Sequence, residues 1–448
     1  MDTDSRKLSI GRKLLFTSGD LTTSLTLAIQ TYFQLYFLTE VALIAPAIAA
    51  WVLGITRIWD AINDPLIGLI SDRIHSRMGR RRILLAIGTI PLGIAFILCW
   101  LVPPWSQIWL GVYYAVAIIV FDTAFTLVHV GYNALTPNMV RDYDERSSLN
   151  GYRMIFSLGG TLGAIIFAAL LAEWVDQRTR FMILGVTLGL FAMIPPWIVL
   201  WVSRDVDVEG AKATMTLRQS LAMTLRNKAF LMLTALFLFS WTATCVLAAL
   251  LIYYANYCLR VPDQANYYLV LAQGSAVASV PLVVWLAKKT DKKRAYLIGC
   301  AVWCLVLLAF FLLPSNAVVA AYVIAALCGP GIATAAVIPW AMLPDVIEYE
   351  EQYSGERREG SYYAFVSFFQ KMGTALALWS IGIALSNSGY ITPEASNQIV
   401  EQPETTIATI RWIMGPVAIA LLLMSLPFAW WYPIDRARHE AALKQIKS

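Results

Sequence analysis

Long apolar windows alternate with short charged connections along the whole chain. They are read at about residues 14–39, 46–71, 83–102, 108–136, 151–174, 181–202, 229–259, 265–287, 295–313, 317–344, 361–386 and 408–432. Roughly 20 apolar residues cross a bilayer as a helix, so the pattern predicts an all-α membrane protein with twelve transmembrane helices. The longest polar connection follows the sixth window. It divides the chain into an N-terminal six-helix bundle (1–202), a cytoplasmic linker (203–228) and a C-terminal six-helix bundle (229–448). The halves repeat one another. The fourth window ends in ALTP at Ala134–Pro137 and the tenth in AMLP at Ala341–Pro344, and each is followed by a charged stretch. Duplicated bundles of this kind place a transport site at the interface of the repeats.

Composition agrees with the pattern: 58% of residues are hydrophobic and 14% charged, against about 25% charged in soluble domains. Lysine and arginine crowd every second connection, from Arg12 and Lys13 through Arg80–Arg82 and Lys288–Arg294 to the C-terminal tail. By the positive-inside rule those connections and both termini are cytoplasmic. The net charge of +5 is thereby an orientation signal, and no nucleic-acid partner is expected. No cleavable signal peptide is read at the N-terminus. The six cysteines all fall in or beside apolar windows and are expected to be free thiols. The GG-x-x-G of Gly159, Gly160 and Gly163 reads as close helix packing.

The second window is interrupted by RIWDAIND, Arg57–Asp64. Asp60 and Asp64 share one helical face, with Arg57 three residues before Asp60. A carboxylate at the bilayer centre costs on the order of 3 kcal/mol on insertion scales, so two on one face require Arg57, a cation or water as compensation. Other charges away from the ends of the windows are few: Asp20, Asp122, His129, Arg153 and Lys371. No phosphate-cradling glycine loop or metalloprotease HExxH motif is present. Neither ATP-driven transport nor catalysis is expected, nor any bound cofactor.

Gly68–Arg82 reads GLISDRIHSRMGRRR and resembles the signature loop of the major facilitator superfamily. In that superfamily the loop tunes inward–outward switching, which implies such a role for Asp72 and Arg73. Three further segments, RIWDAINDPLIGLISDR (57–73), HVGYNALTPNMVRDYDERSSLNGYRM (129–154) and MLPDVIEYEEQYSGERREGSYYAFVSFFQKMGTALA (342–377), resemble the glycoside–pentoside–hexuronide:cation symporter family, to which melibiose permease belongs. The last two are similar also to the sodium-dependent lysophosphatidylcholine symporter branch.

The resemblance implies the major facilitator fold, the plasma (inner) membrane, a monomeric carrier within the lipid bilayer, and a small-molecule substrate. The coupling ion is Na⁺ or H⁺. Asp60 and Asp64 match the cation-site carboxylates, Asp20 a sugar-binding aspartate, Arg153 a cavity arginine and Lys371 a lysine that couples cation and substrate. His129 replaces a family aspartate and Asn133 a family tryptophan. His129 is readable as a neutral hydrogen-bonding residue, a proton carrier or a substrate ligand. Trp340 is a candidate stacking residue; Arg57 and Asp122 are candidates for coupling. A glycoside, uronide or related solute is the first expectation, and a lysophospholipid or other amphiphile the alternative.

Overall fold

In a bilayer every backbone N–H and C=O must be satisfied within the chain, which leaves helices for apolar stretches of this length. A computed structural model of the chain describes residues 8–73, 78–139, 143–204, 227–354, 359–393 and 400–434. Among these residues the chain is helices joined by short connections, with no strand. The helices are α1 (Ile10–Thr17), α2 (Gly19–Tyr36), α3 (Pro46–Arg73), α4 (Arg80–Leu98), α5 (Gln107–Met139), α6 (Tyr143–Trp174) and α7 (Gln177–Val202). They continue as α8 (Lys228–Tyr253), α9 (Ala265–Lys289), α10 (Lys292–Leu312), α11 (Val318–Ser354), α12 (Glu359–Asn387), α13 (Glu404–Trp412) and α14 (Ala418–Trp430).

Among the described residues, ten helical runs are long and apolar enough to cross a membrane. The two expected spans outside that set lie at 10–41 and 46–73. They are helical over the expected length but carry the polar residues, among them Asp20 and the Arg57–Asp64 cluster. The expected count of twelve therefore includes two helices that hydropathy alone does not qualify.

The chain forms two compact units, Met1–Ala211 with Thr392–Val400, and Lys212–Ile391 with Glu401–Ser448. The expected linker lies almost wholly outside the described residues, as do residues 355–358. Within the first unit α2 packs on α6 and α7, α3 on α5, and α4 on α5 and α7. Within the second, α8 packs on α12 and α14, α9 on α11, and α10 on α11 and α14. The pairing is the same, helix for helix.

The duplication reaches the backbone. α2 ends in a π-helical turn, Phe37–Val41, closed by Ala42 N–H to Phe37 C=O at 2.8 Å and Ile44 N–H to Leu38 C=O at 2.9 Å. α8 ends in the π-helical turn Tyr254–Cys258, closed by Leu259 N–H to Tyr254 C=O and Val261 N–H to Ala255 C=O, both at 3.0 Å. Each termination passes through a non-glycine residue with positive φ, Leu43 at 58° and Arg260 at 59°. Such a conformation costs on the order of 1 kcal/mol and satisfies helix-end carbonyls that lipid would leave bare. Arg82 on α4 donates to the Leu200 carbonyl at the end of α7 at 2.9 Å, and Lys293 on α10 donates to the Trp430 carbonyl at the end of α14.

Of the three glycines read as a packing motif, Gly160 alone is close-packed. A Cβ there would lie 2.2 Å from Ser24 Oγ on α2, whereas Gly159 and Gly163 face open space. All six cysteines are free, and five are buried.

Candidate functional site

The polar residues of α5 recur at steps of three and four: Asp122, Thr126, His129, Asn133 and Thr136. That spacing places them along one stripe of the helix, and the neighbouring helices of the first unit bring their own polar groups to it.

Near its middle the stripe meets α3 in three hydrogen bonds. Trp59 Nε1 donates to Thr123 Oγ1 at 2.9 Å, Asn63 Nδ2 to the Asp122 carbonyl at 3.3 Å, and Thr126 Oγ1 to Asp64 Oδ1 at 2.9 Å. This seam sets the rotation of α3 about its axis and presents Asp64 beside α5, with Asp60 one turn earlier on α3. Asp60 is buried, with Arg57 Nη1 3.8 Å from its Oδ2, and Asp64 is half-buried. Because the Thr126 hydroxyl spends its proton on Asp64, its lone pairs remain available to a cation. Among the described residues no group of three or more His, Cys, Asp or Glu side chains is placed to hold a metal ion. Two carboxylates and a hydroxyl make a hard oxygen donor set of the kind that suits a group 1 cation over a softer metal.

Further along α5, the stripe meets α2 and α6. Arg153 Nε donates to Asp20 Oδ2 at 2.8 Å and its Nη2 to Asp20 Oδ1 at 2.9 Å, a bidentate pair. Tyr132 Oη donates to the same Asp20 Oδ2 at 2.7 Å, and the guanidinium lies 4.7 Å from the Tyr132 ring centroid. The remaining contacts of the guanidinium return to α5. Nη2 also reaches Asn133 Oδ1 at 2.7 Å, and Nη1 reaches Thr136 Oγ1 at 3.3 Å. Asn133 Nδ2 in turn meets His129 Nε2 at 2.9 Å. With the Asn133 oxygen turned toward Arg153, its amide N–H groups face the imidazole, so His129 accepts at Nε2 and is the neutral Nδ1–H tautomer. The imidazole stacks on Phe125 with ring centroids 5.6 Å apart. Asp20, Arg153, Asn133 and His129 thus form one continuous relay across three helices.

His129 is exposed, and Asn133, Arg153 and Asp64 are half-buried. Polar groups in the middle of membrane helices do not face lipid tails without large cost. The exposed point of this stripe, at His129, therefore faces an aqueous space and not lipid.

The other sequence-derived candidates fall elsewhere. Trp340 and Lys371 belong to the second unit. Trp340 packs edge-on against Phe237 at 5.7 Å and stacks on Tyr363 at 6.0 Å, while Lys371 is half-buried on α12. The side chains of Asp72 and Arg73 lie outside the described residues. Tyr132, Thr126 and Thr136 were not among the expected site residues. The signal for both threonines was the spacing, since each continues the stripe set by Asp122, His129 and Asn133.

A duplicated helical bundle with a wet polar stripe at membrane depth defines a membrane transporter. The chain belongs to the MFS/sugar transport protein family, whose pattern matches residues 15–436. An uncharacterized symporter of Synechocystis sp. is 31% identical across 99% of this chain and 98% of its own length. Sodium-dependent lysophosphatidylcholine symporter 1-A of Danio rerio is 26% identical across 99% of this chain and 89% of its own. Among solved structures, that of a D-xylose–proton symporter aligns with a TM-score of 0.67 at 15% identity, covering 94% of this chain and 97% of that one. A bacterial homologue of the human lysosomal transporter Spinster aligns with a TM-score of 0.69 at 14% identity, covering 99% of both chains. These two share the fold. The protein is accordingly a multi-pass membrane transporter of the major facilitator type.

Proposed function

We propose that the protein is a secondary active symporter that uses a Na⁺ or H⁺ gradient to import a glycoside, uronide or related small polar solute. The observation that carries this reading is the stripe on α5, which joins two kinds of chemistry on one helix. At Thr126 it touches a membrane-embedded carboxylate suited to an ion, and at His129 and Asn133 it offers hydrogen-bonding groups to a solute. Ion and solute then share a rigid element seven residues apart, about two turns. Occupancy of one site alters the helix that shapes the other, which is the physical requirement for coupling.

The cations on this face are internally neutralised. All three guanidinium nitrogens of Arg153 are engaged by Asp20, Asn133 and Thr136, and Arg57 lies beside Asp60. A surface whose cations are engaged, with an exposed imidazole and a half-buried amide, favours a neutral or weakly charged polyhydroxylated solute. The second reading is a cation-coupled carrier of an amphiphile, favoured by the likeness to the Danio rerio symporter over 99% of the chain.

Uptake into proteoliposomes under imposed Na⁺ or pH gradients tests the proposal, with a panel of sugars, uronates and lysolipids. The expected result is saturable uptake of a polar solute that follows one ion gradient and disappears in Asp64→Asn. Uptake indifferent to every ion gradient overturns it, and uptake confined to lysolipids selects the second reading.

A further inference from the structure

In the second unit, where α9 ends and α10 begins, the sequence KKTDKKR at 288–294 sets five cations around one aspartate. The transport site uses none of them. Lys292 is committed: its Nζ donates to Asp345 Oδ1 at 2.8 Å, to Asp345 Oδ2 at 2.6 Å and to the Ala341 carbonyl at 2.8 Å. Other cations of the segment lie over tryptophan rings instead. Lys289 Nζ stands 4.8 Å from the Trp285 ring centroid, and Lys293 Nζ stands 5.9 Å from that of Trp430 while donating to its carbonyl. Arg294 is exposed. Trp285, Trp430 and the adjacent Trp431 are 53%, 67% and 66% exposed.

An exposed tryptophan at the end of a membrane-spanning helix sits at headgroup level. The rings place Lys289 and Lys293 at that depth, and the positive-inside rule puts this end of the helices in the cytoplasmic leaflet. The first unit repeats the arrangement. Arg204 lies 5.9 Å from the ring centroid of Trp201, which is 62% exposed, and Arg82 donates to the Leu200 and Arg204 carbonyls. Orientation by positive charge alone requires cations in the connection. It does not require them to be seated on interfacial tryptophans, nor the seat to recur in both halves.

We propose that the Lys289–Lys293–Arg294 patch holds the phosphate of an anionic phospholipid, with Trp285, Trp430 and Trp431 covering the lipid's glycerol region. The complementarity is direct. Two cations stand beside indole surfaces at headgroup level, and the exposed Arg294 follows the second in sequence, so charge for the phosphate lies next to a surface that suits its less polar neighbour. A zwitterionic lipid brings its own ammonium into the same space and is held less well. Each Lys or Arg near an anionic membrane surface is worth about fivefold in affinity.

The test is native mass spectrometry of the purified full-length protein in detergent, titrated with phosphatidylglycerol or with phosphatidylcholine of the same chains. The wild-type protein is expected to retain phosphatidylglycerol in preference to phosphatidylcholine. In Lys289→Gln/Lys293→Gln/Arg294→Gln the number of retained phosphatidylglycerol molecules should fall by one, and in Lys289→Arg/Lys293→Arg it should return. Should the triple variant fail to fold for loss of the Lys293 contact to α14, Lys289→Gln alone carries the test, with roughly fivefold weaker retention expected. Unchanged retention in the variant measured overturns the proposal, as does equal retention of phosphatidylcholine by the wild type. Displacement of the lipid by millimolar inorganic phosphate also overturns it, by making the patch a site for soluble anions.

Discussion

The pair Asp20–Arg153 offers the sharpest test of how the relay is held. In Arg153→Leu the Asp20 carboxylate keeps one donor, Tyr132 Oη, and loses the two charged ones at 2.8 and 2.9 Å. Asn133 and Thr136 lose a donor as well. Removing one partner of a buried ion pair costs about 3–5 kcal/mol, because the survivor is left charged and uncompensated. The two side chains here are 20% and 11% exposed, which places the expected loss near 3 kcal/mol. Asp20→Leu strands the guanidinium and should cost a similar amount. The double variant Asp20→Leu/Arg153→Leu strands no charge and should lose only about 1–3 kcal/mol, mainly through the amide and hydroxyls left without a partner. The two changes should therefore couple by roughly 3–5 kcal/mol. Equilibrium unfolding in mixed micelles of sodium dodecyl sulfate and dodecyl maltoside measures all four corners of the cycle. Against a total stability of about 5–15 kcal/mol, each single variant should yield visibly less folded protein than the double. A double variant that loses the sum of the singles, within about 0.5 kcal/mol, refutes the reasoning, since the pair would then be two independent contacts.

Thr126→Val removes the hydroxyl between α5 and Asp64 while keeping shape; the apparent affinity for the coupling ion should fall by about tenfold, whereas Thr126→Ser should stay near wild type, both read as the ion dependence of uptake. His129→Gln supplies a side-chain oxygen to accept from Asn133 and should retain most solute affinity. His129→Leu leaves that amide without its acceptor and should raise the KM for solute at least fivefold, about 1 kcal/mol for one neutral hydrogen bond. Asp176 caps the N-terminus of α7 by accepting from Thr179 N–H at 3.1 Å, and the hydrogen bonds from Thr179 hold its carboxyl below the usual aspartate range. Because the folded pKa is the lower one, this stabilisation is full at neutral pH and is lost as the pH falls below roughly 4. Asp176→Ala should thus cost about 1 kcal/mol at pH 7 and almost nothing in stronger acid, as measured by thermal unfolding across pH.

The helices were legible because the bilayer imposes one length scale on apolar runs, but hydropathy measures the apolar slab and not the hydrogen-bond ladder. The window read at 108–136 belongs to a helix running from Gln107 to Met139, and the one at 317–344 to a helix that continues to Ser354. The polar ends of these helices leave the slab without leaving the helix. The π-helical turns and the positive φ of Leu43 and Arg260 carry no glycine and no fixed residue pattern; only their recurrence at matching places in both halves marks them as part of the design. At the site, the rare charges announced themselves by their cost in lipid, which is why Asp20, Asp60, Asp64 and Arg153 stood out. The neutral members did not. Thr126 and Tyr132 belong to residue types common in any apolar helix, and their roles arise from α2, α3 and α6, which meet α5 from distant parts of the chain. The replacement at His129 shows what that means for ion choice. An aspartate there would add a third negative charge to the stripe, whereas a neutral imidazole bonded to Asn133 adds none. On the function proposed above, the carboxylates of α3 and the Thr126 hydroxyl hold the coupling ion, and such a site, with fewer charges than a three-carboxylate one, binds a bare cation more weakly.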